Sequence, residues 1–172
     1  MANAKIQVNT GVAIEVIASD SIPIPSPDMT PVSGEASATT ANKLVEAGKD
    51  FTANGVQVGD IVYNTTDKTV ATVTAIDSAT TLSISANIMA ANELYTIYLT
   101  GTDRPKSAEG CILYVGSNDL TATVANIKVK TIHGDDVTFA AFPVGNYLPV
   151  QVVQLYATGT TDISDNNCIA IW

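Results

Sequence analysis

Basic residues are scarce in this sequence. Its 172 residues include 8 Lys and Arg against 17 Asp and Glu, which gives a formal net charge of −9. Proteins that bind nucleic acid or anionic lipid do so through Lys and Arg clusters that neutralise phosphate groups. Only Lys128 and Lys130 are locally basic, and their spacing on a strand is typical of a solvated face. We therefore expect no nucleic-acid or membrane partner.

The side chains that carry much of enzyme catalysis are also rare. His133 is the only histidine, and it lies in a His-Gly-Asp-Asp stretch that is typical of a tight turn. No second base supports a Ser-His or Cys-His pair, and the glycines at 55 and 59 lack the Lys and the helix of a phosphate-binding loop. Cys111 and Cys168 lack zinc-site spacing and are expected to be free buried thiols. The sequence predicts a protein that is not an enzyme and has no cofactor.

Long apolar runs and an apolar N-terminal signal are missing as well, so we expect assembly in the cytoplasm of the producing cell. The hydrophobic content is nevertheless 46% with a mean hydropathy of +0.22, which supports a buried core. Thr, Val, Ala and Ile dominate, and runs of strong helix formers are absent. The composition predicts an all-β fold.

Strand signals divide the chain into three parts. Alternating apolar runs occupy residues 6–17, and short strand patterns follow at 61–63, 70–76, 82–84 and 94–98. Further strands are predicted at 111–115, 122–132, 137–142, 148–157 and 168–172. We predict a jelly-roll-like β-sandwich built from residues 1–33 and 101–172, with residues 34–100 inserted as a small β-barrel or meander. Local propensity also allows a short helix over residues 38–47, although its apolar residues do not repeat at helical spacing.

A proline-rich segment separates the first strands from the inserted part. Residues 22–40 contain four prolines. This composition favours extended or loop conformations and cannot form a central strand of a sheet, because proline lacks the backbone N–H. It is either an arm that crosses to a neighbouring subunit or a surface loop on its own domain. Its prolines Pro23, Pro25 and Pro27 are candidate assembly residues.

The final residues are apolar and end in Trp172. A strand that runs to such an ending is expected to be paired into the sheet, because unpaired termini fray. Leu148, Pro149 and Trp172 are therefore further candidate assembly residues.

Several motifs in the outer parts occur in an order that resembles one protein family. They are the segments 18–23, 113–116, 137–139, 143–145, 148–150 and 157–161, and Trp172. Together they resemble the head spike-base proteins of phages and gene transfer agents, which decorate capsids. The shorter members lack residues 34–101, and their loop before the last strand is shorter than residues 163–168. The inserted part is similar to a small β module of other phage structural proteins, through residues 43–45, 58–64, 72–75 and 95–98.

The resemblance implies a virion structural protein at the capsid surface, a decoration or vertex spike-base protein. Its implied partners are the major capsid protein, further copies of itself in a cyclic arrangement, and a spike or fibre protein. The alternative is a host-receptor or glycan-binding module of a head or tail fibre. Exposed aromatic residues would favour that alternative, and the available ones are Tyr95, Tyr98, Tyr114, Tyr147, Tyr156 and Trp172.

One loop offers oxygen ligands of the kind that calcium prefers, namely Asp162, Asp165, Asn166 and Asn167. Their spacing matches no EF-hand, and a plain turn explains the same residues. Asp60 follows Gly59 before a strand, where we expect it to brace the turn.

Overall fold

The protein is all-β. The computed structural model describes residues 12–25, 31–100, 110–117, 121–161 and 167–172, which contain twelve strands and no helix. Within these ranges no helix is long and apolar enough to cross a membrane. The strands are β1 (Ala13–Val16), β2 (Val32–Glu35), β3 (Lys43–Val45), β4 (Ile61–Asn64), β5 (Thr69–Ser78), β6 (Thr81–Ile84), β7 (Leu94–Tyr98), β8 (Cys111–Val115), β9 (Val124–Thr131), β10 (Asp136–Pro143), β11 (Asn146–Leu155) and β12 (Cys168–Ile171). The predicted fold class is confirmed.

The chain divides into two compact units, Met1–Ala18 with Glu109–Trp172, and Ser19–Ala108. The boundary predicted near Gly34 falls inside β2, and the one near Gly101 lies outside the described residues. That residues 34–100 fold as a separable domain stays a prediction.

The first unit contains a six-stranded antiparallel sheet in the order β1-β12-β8-β11-β9-β10. Strands from both ends of the chain are neighbours in it, because β1 pairs with β12 and β12 pairs with β8. Alternate residues of these strands form one buried apolar face, which fixes the register. Its members include Val16, Leu113, Val115, Ile127, Val129 and Ala170.

The second unit contains a six-stranded sheet in the order β2-β7-β4-β5-β6-β3. The long strand β5 pairs with β4 through its first residues and with β6 through its later ones, with register shifts that bend it. The core holds Leu44, Phe51, Val62, Val73, Leu82, Tyr95 and Ile97, all at most 1% exposed. Strand β4 is buried along its whole length.

The helix considered for residues 38–47 is wrong. Part of that segment forms β3, whose Lys43, Leu44 and Val45 pair with β6. Leu44 is fully buried in the core, so strand pairing and burial outweigh the local propensity. In the described part of the proline-rich segment the one strand is β2, which starts after Pro31 and lies at the edge of its sheet. An edge position is where a strand adjoining prolines is tolerated.

Candidate assembly surface

The predicted assembly residues differ in accessibility. Leu148 is buried in the core, whereas the adjacent Pro149 is exposed. Trp172 is half-buried. Pro23 is exposed and Pro25 is buried, while Pro27 lies outside the described residues. Leu148 and Pro25 therefore act in packing, and Pro23, Pro149 and Trp172 keep accessible surface.

The outer face of the first sheet carries an apolar patch. Cross-strand pairing aligns Ile169 of β12 with Tyr114 of β8, and Tyr114 with Tyr147 of β11. The two tyrosine rings lie 5.3 Å apart at 57°, and Tyr147 is 57% exposed. A second row pairs Ile171 with Ile112. We call these five residues the outer patch: Ile112, Tyr114, Tyr147, Ile169 and Ile171.

The outer patch combines segments that are far apart in the sequence. The motif at 113–116 lies on β8 and continues past it, the motif at 148–150 lies on β11, and Trp172 follows β12. These three strands are neighbours in the order β12-β8-β11. Sequence reasoning identified the motifs, but not that Tyr114 and Tyr147 meet, because that contact depends on the pairing of β8 with β11.

A close backbone approach supports this arrangement at the end of β8. The amide of Gly116 donates to the carbonyl of Asn167 at 3.0 Å. A Cβ on residue 116 would lie 2.5 Å from that carbonyl oxygen, so only glycine fits. This contact fixes the start of β12 against β8.

Trp172 is held at the other end of the same strand. Its amide donates to the carbonyl of Val12 at 3.3 Å. Its indole Nε1 is buried and has no hydrogen-bond partner in the part of the chain that the structure describes. A buried donor without a partner costs roughly 1–3 kcal/mol. The backbone contact extends the pairing of β1 with β12 by one residue, to Trp172.

A charged cluster lies on β9 and β10 of the same sheet. The Tyr156 hydroxyl donates to Asp136 Oδ1 at 2.6 Å, and Lys130 Nζ lies 3.0 Å from the same oxygen. These hydrogen bonds, with that of Tyr156 the larger cause, lower the pKa of Asp136. The hydrogen bond to Asp136 raises the pKa of Lys130. Lys128 Nζ lies 4.9 Å from the centre of the Tyr156 ring. The predicted basic pair is thus tied to an aromatic ring and a carboxylate.

The aromatic residues proposed for glycan binding do not form one platform. Tyr95 is 1% exposed and packs against Phe51 in the core of the second unit. Tyr98 is half-buried and contacts the ring of Tyr63 edge to face at 5.1 Å. Of Tyr95, Tyr98 and Tyr147, only Tyr147 is exposed, and it belongs to the first unit.

The proposed calcium ligands are placed only in part. Asp162, Asp165 and Asn166 lie outside the described residues, and Asn167 accepts the Gly116 amide through its backbone carbonyl. Within the described ranges, no group of three or more His, Cys, Asp or Glu side chains is arranged to hold a metal ion.

The other ionisable residues singled out in the sequence lie in the core or in a turn. His133 is exposed in its turn. Cys111 and Cys168 are free and buried, as predicted, and burial raises the pKa of each thiol to about 12. Asp60 is fully buried and its Oδ2 accepts the Gln57 amide at 2.7 Å, which confirms its predicted part in bracing the turn.

Comparison with known protein families, with curated proteins and with solved structures finds no match.

Proposed function

We propose that this protein is a virion structural protein, a capsid decoration or vertex spike-base protein that docks on the major capsid protein through the outer patch. It is assembled in the cytoplasm of the host bacterium and remains on the capsid surface. Copies of it form a symmetric homo-oligomer there and carry a spike or fibre protein.

One observation carries the proposal: the outer patch joins β8, β11 and β12, three strands that contain or adjoin family-like motifs. Ile169, Tyr114 and Tyr147 form a row across β12, β8 and β11. Rows of aliphatic and aromatic side chains, with an accessible tyrosine, are typical of the centre of protein interfaces. The proposal therefore places the contact with the shell on the segments that resemble spike-base proteins.

The charge of the chain is compatible with this role. A net charge of −9 disfavours nucleic acid as a partner. Binding then depends on shape and apolar contact at the outer patch. A repeated shell adds avidity, so each single contact can be weak.

The direct test is to locate the chain on particles. An affinity-tagged copy is expressed in the cells that carry the gene, particles are isolated on a density gradient, and a density map is calculated. We expect the chain on the head, with β8, β11 and β12 facing the shell. A map that places it on the tail, or that brings only residues 34–100 against the shell, contradicts the proposal.

A matched pair of variants tests the surface itself. Tyr147→Glu puts a charge on the outer patch, at a residue that is 57% exposed. Leu94→Glu puts a charge on a residue of the other unit that is 53% exposed. We expect Tyr147→Glu to lower the number of copies per particle by about tenfold or more, which corresponds to roughly 1.4 kcal/mol, and Leu94→Glu to leave it unchanged. Melting curves of both purified variants check that they fold. Equal occupancy for two folded variants contradicts the assignment of the outer patch.

A further inference from the structure

The edge strand β10 differs from the edges of the second sheet. The edge strands of the second sheet are β2 and β3. Lys49 Nζ donates to the Ser33 carbonyl of β2 at 2.6 Å, and the Ser37 amide donates to the Val45 carbonyl of β3 at 2.7 Å. Such contacts protect an edge strand from further pairing. Among the described residues, β10 pairs only with β9. Within those residues, no strand pairs with its other edge, so a further strand can be added there.

The first part of β10 is regular and nearly uncharged. Residues 136–139 pair with β9 in an unbroken register, from Asp136 opposite Lys130 to Phe139 opposite Ile127. The register then shifts, and Ala141 adopts a positive φ of 49°. Thr138 and Ala140 are exposed on the outer face, whereas Val137 and Phe139 are half-buried on the core side. The pairing edge is thus the five residues 136–140.

We propose that this edge binds a second copy of the chain, with the two β10 strands antiparallel about a two-fold axis at Thr138. The pairing sets Thr138 opposite its own copy, Val137 opposite Phe139, and Asp136 opposite Ala140. Thr–Thr pairs and pairs of aromatic with β-branched residues are favourable across antiparallel strands. The half-buried Phe139 gains cover from Val137 of the second copy.

Charge favours a second copy in this orientation. Asp136 is the only charged residue of β10, and antiparallel pairing places the two Asp136 carboxylates at opposite ends. Each then faces an alanine, whereas a parallel pairing would bring the carboxylates together. Elsewhere, two chains of net charge −9 repel one another. The bulge at Ala141 and the proline at 143 end the pairing, so the contact is short and its affinity modest.

Disulfide crosslinking of the purified chain tests the axis. In this pairing the two residues at 138 lie directly opposite, with Cα atoms about 4.5–5.5 Å apart, which a disulfide can span. The two residues at 140 lie four positions apart along the strands, about 13 Å. We expect Thr138→Cys to form disulfide-linked dimers under mild oxidation and Ala140→Cys to form no intermolecular disulfide. Both native thiols are buried, and the parent chain controls for them.

A second pair of variants measures association without crosslinking. Thr138→Lys adds a charge to the edge, and Thr74→Lys adds the same charge at an exposed residue of β5, a strand that lies between β4 and β6. In sedimentation, we expect Thr138→Lys to weaken dimerisation by about tenfold or more and Thr74→Lys to leave it unchanged. A parent chain that stays monomeric at high concentration, equal crosslinking at 138 and 140, or equal effects of the two lysines overturns the proposal.

This inference deepens the proposed function and rests only on its homo-oligomeric part. The assays use the purified chain without particles, so their failure leaves docking on the shell untouched. A failure to bind the shell likewise leaves the two-fold pairing untouched.

Discussion

Gly34 in β2 lies opposite Tyr95 of β7. The Tyr95 hydroxyl donates to Glu46 Oε2, and burial together with this contact raises the pKa of Tyr95. A Cβ on residue 34 would lie 2.2 Å from Glu46 Oε2 and 2.6 Å from the Tyr95 hydroxyl. The glycine therefore makes room for the hydrogen bond between Tyr95 and Glu46.

We expect Gly34→Ala to destabilise the protein by about 1–3 kcal/mol, the usual cost of overpacking. Gly48→Ala is the control, because no atom lies within 4 Å of a Cβ there. Chemical denaturation of both variants measures the difference. Equal stability of the two would show that Tyr95 and Glu46 move aside without cost.

Two carboxyl groups meet beside the buried Asn64. Its Oδ1 accepts the amides of Thr66 and Asp67, and its Nδ2 donates to Glu93 Oε2 at 2.9 Å. These bonds hold the turn after β4 against the residue before β7. A hydrogen bond with Glu93, and then the charge of Glu93, raise the pKa of Asp67 above its ordinary value of 3.8.

The raised pKa means that the folded protein holds a proton on Asp67 more tightly than the unfolded chain does. The contribution to stability is therefore fully present below pH 3.8 and is lost as the pH rises through the folded pKa. Asp67→Asn keeps a donor toward Glu93 without the charge. We expect it to raise the melting temperature at neutral pH, with the gain disappearing in acid.

Asp77 is the control for Asp67, because its pKa is shifted in the opposite direction. Hydrogen bonds from Lys43 and Ser83 lower the pKa of Asp77. Its contribution is present above pH 3.8 and is lost as the pH falls through the lowered pKa. Asp77→Asn should therefore lower the melting temperature at neutral pH and lose that effect in acid. Melting curves of both variants across the acid range test the pair, and parallel pH profiles would refute the assignment.

At the scale of elements, the bulge in β10 changes which face its side chains occupy. Phe139 pairs with Ile127 and Phe142 with Ala125, so three steps on β10 match two on β9. Residues three apart on a regular strand point to opposite faces, but the extra residue brings both phenylalanines to one face. Their rings lie 6.0 Å apart at 76°. The Ala141 amide donates to Asn126 Oδ1 at 3.0 Å, which braces the bulge.

Ala141 takes up the positive φ that the bulge requires, a conformation unfavourable for a residue with a Cβ. We expect Ala141→Gly to stabilise the protein by up to about 1 kcal/mol. At Ala140, which lacks a positive φ, the same change should cost about 0.5–1 kcal/mol. Denaturant midpoints of the two variants should therefore move in opposite directions.

Strand β12 lies inside its sheet, between β1 and β8. Removing residues 169–172 takes away the buried Ala170 and the half-buried Ile169, Ile171 and Trp172, and with them three of the four residues that pair with β1. We expect the loss to amount to several kcal/mol, comparable with the ~5–15 kcal/mol stability of a typical domain, so that the first unit does not fold. A truncated chain with a cooperative melt at an unchanged temperature would contradict this.

At the scale of the whole molecule, the two compact units give better excision points than the sequence did. Joining Ala18 to Glu109 removes the second unit as a whole. Joining Gly34 to Gly101 retains Val32 and Ser33 but deletes β7, their partner. We expect the first deletion to give a soluble, cooperatively melting protein, and the second to be less soluble. Insoluble material from the first deletion, where the parent is soluble, would refute separability.

The strands that the sequence located best are three short ones in which a few apolar residues are bounded by turn residues. Strand β8 begins and ends where the pattern predicted, and β6 and β7 differ by at most one residue. The sequence missed β2, which reads Val-Ser-Gly-Glu and has little strand propensity of its own. It becomes a strand because β7 offers a partner. Tyr95 was one of the aromatic residues considered for glycan binding, and its ring lies in the core; alternation along the strand alone cannot tell which face is covered.

The all-β class, the net negative charge and the scarcity of catalytic side chains can be read from composition and local alternation, which act residue by residue. Which segments are neighbours follows from the folded chain. It placed β1 beside β12, set Tyr114 against Tyr147, and left the edge of β10 paired on one side among the described residues. Pairing between distant strands depends on the burial of a whole sheet face, which no local stretch of sequence specifies.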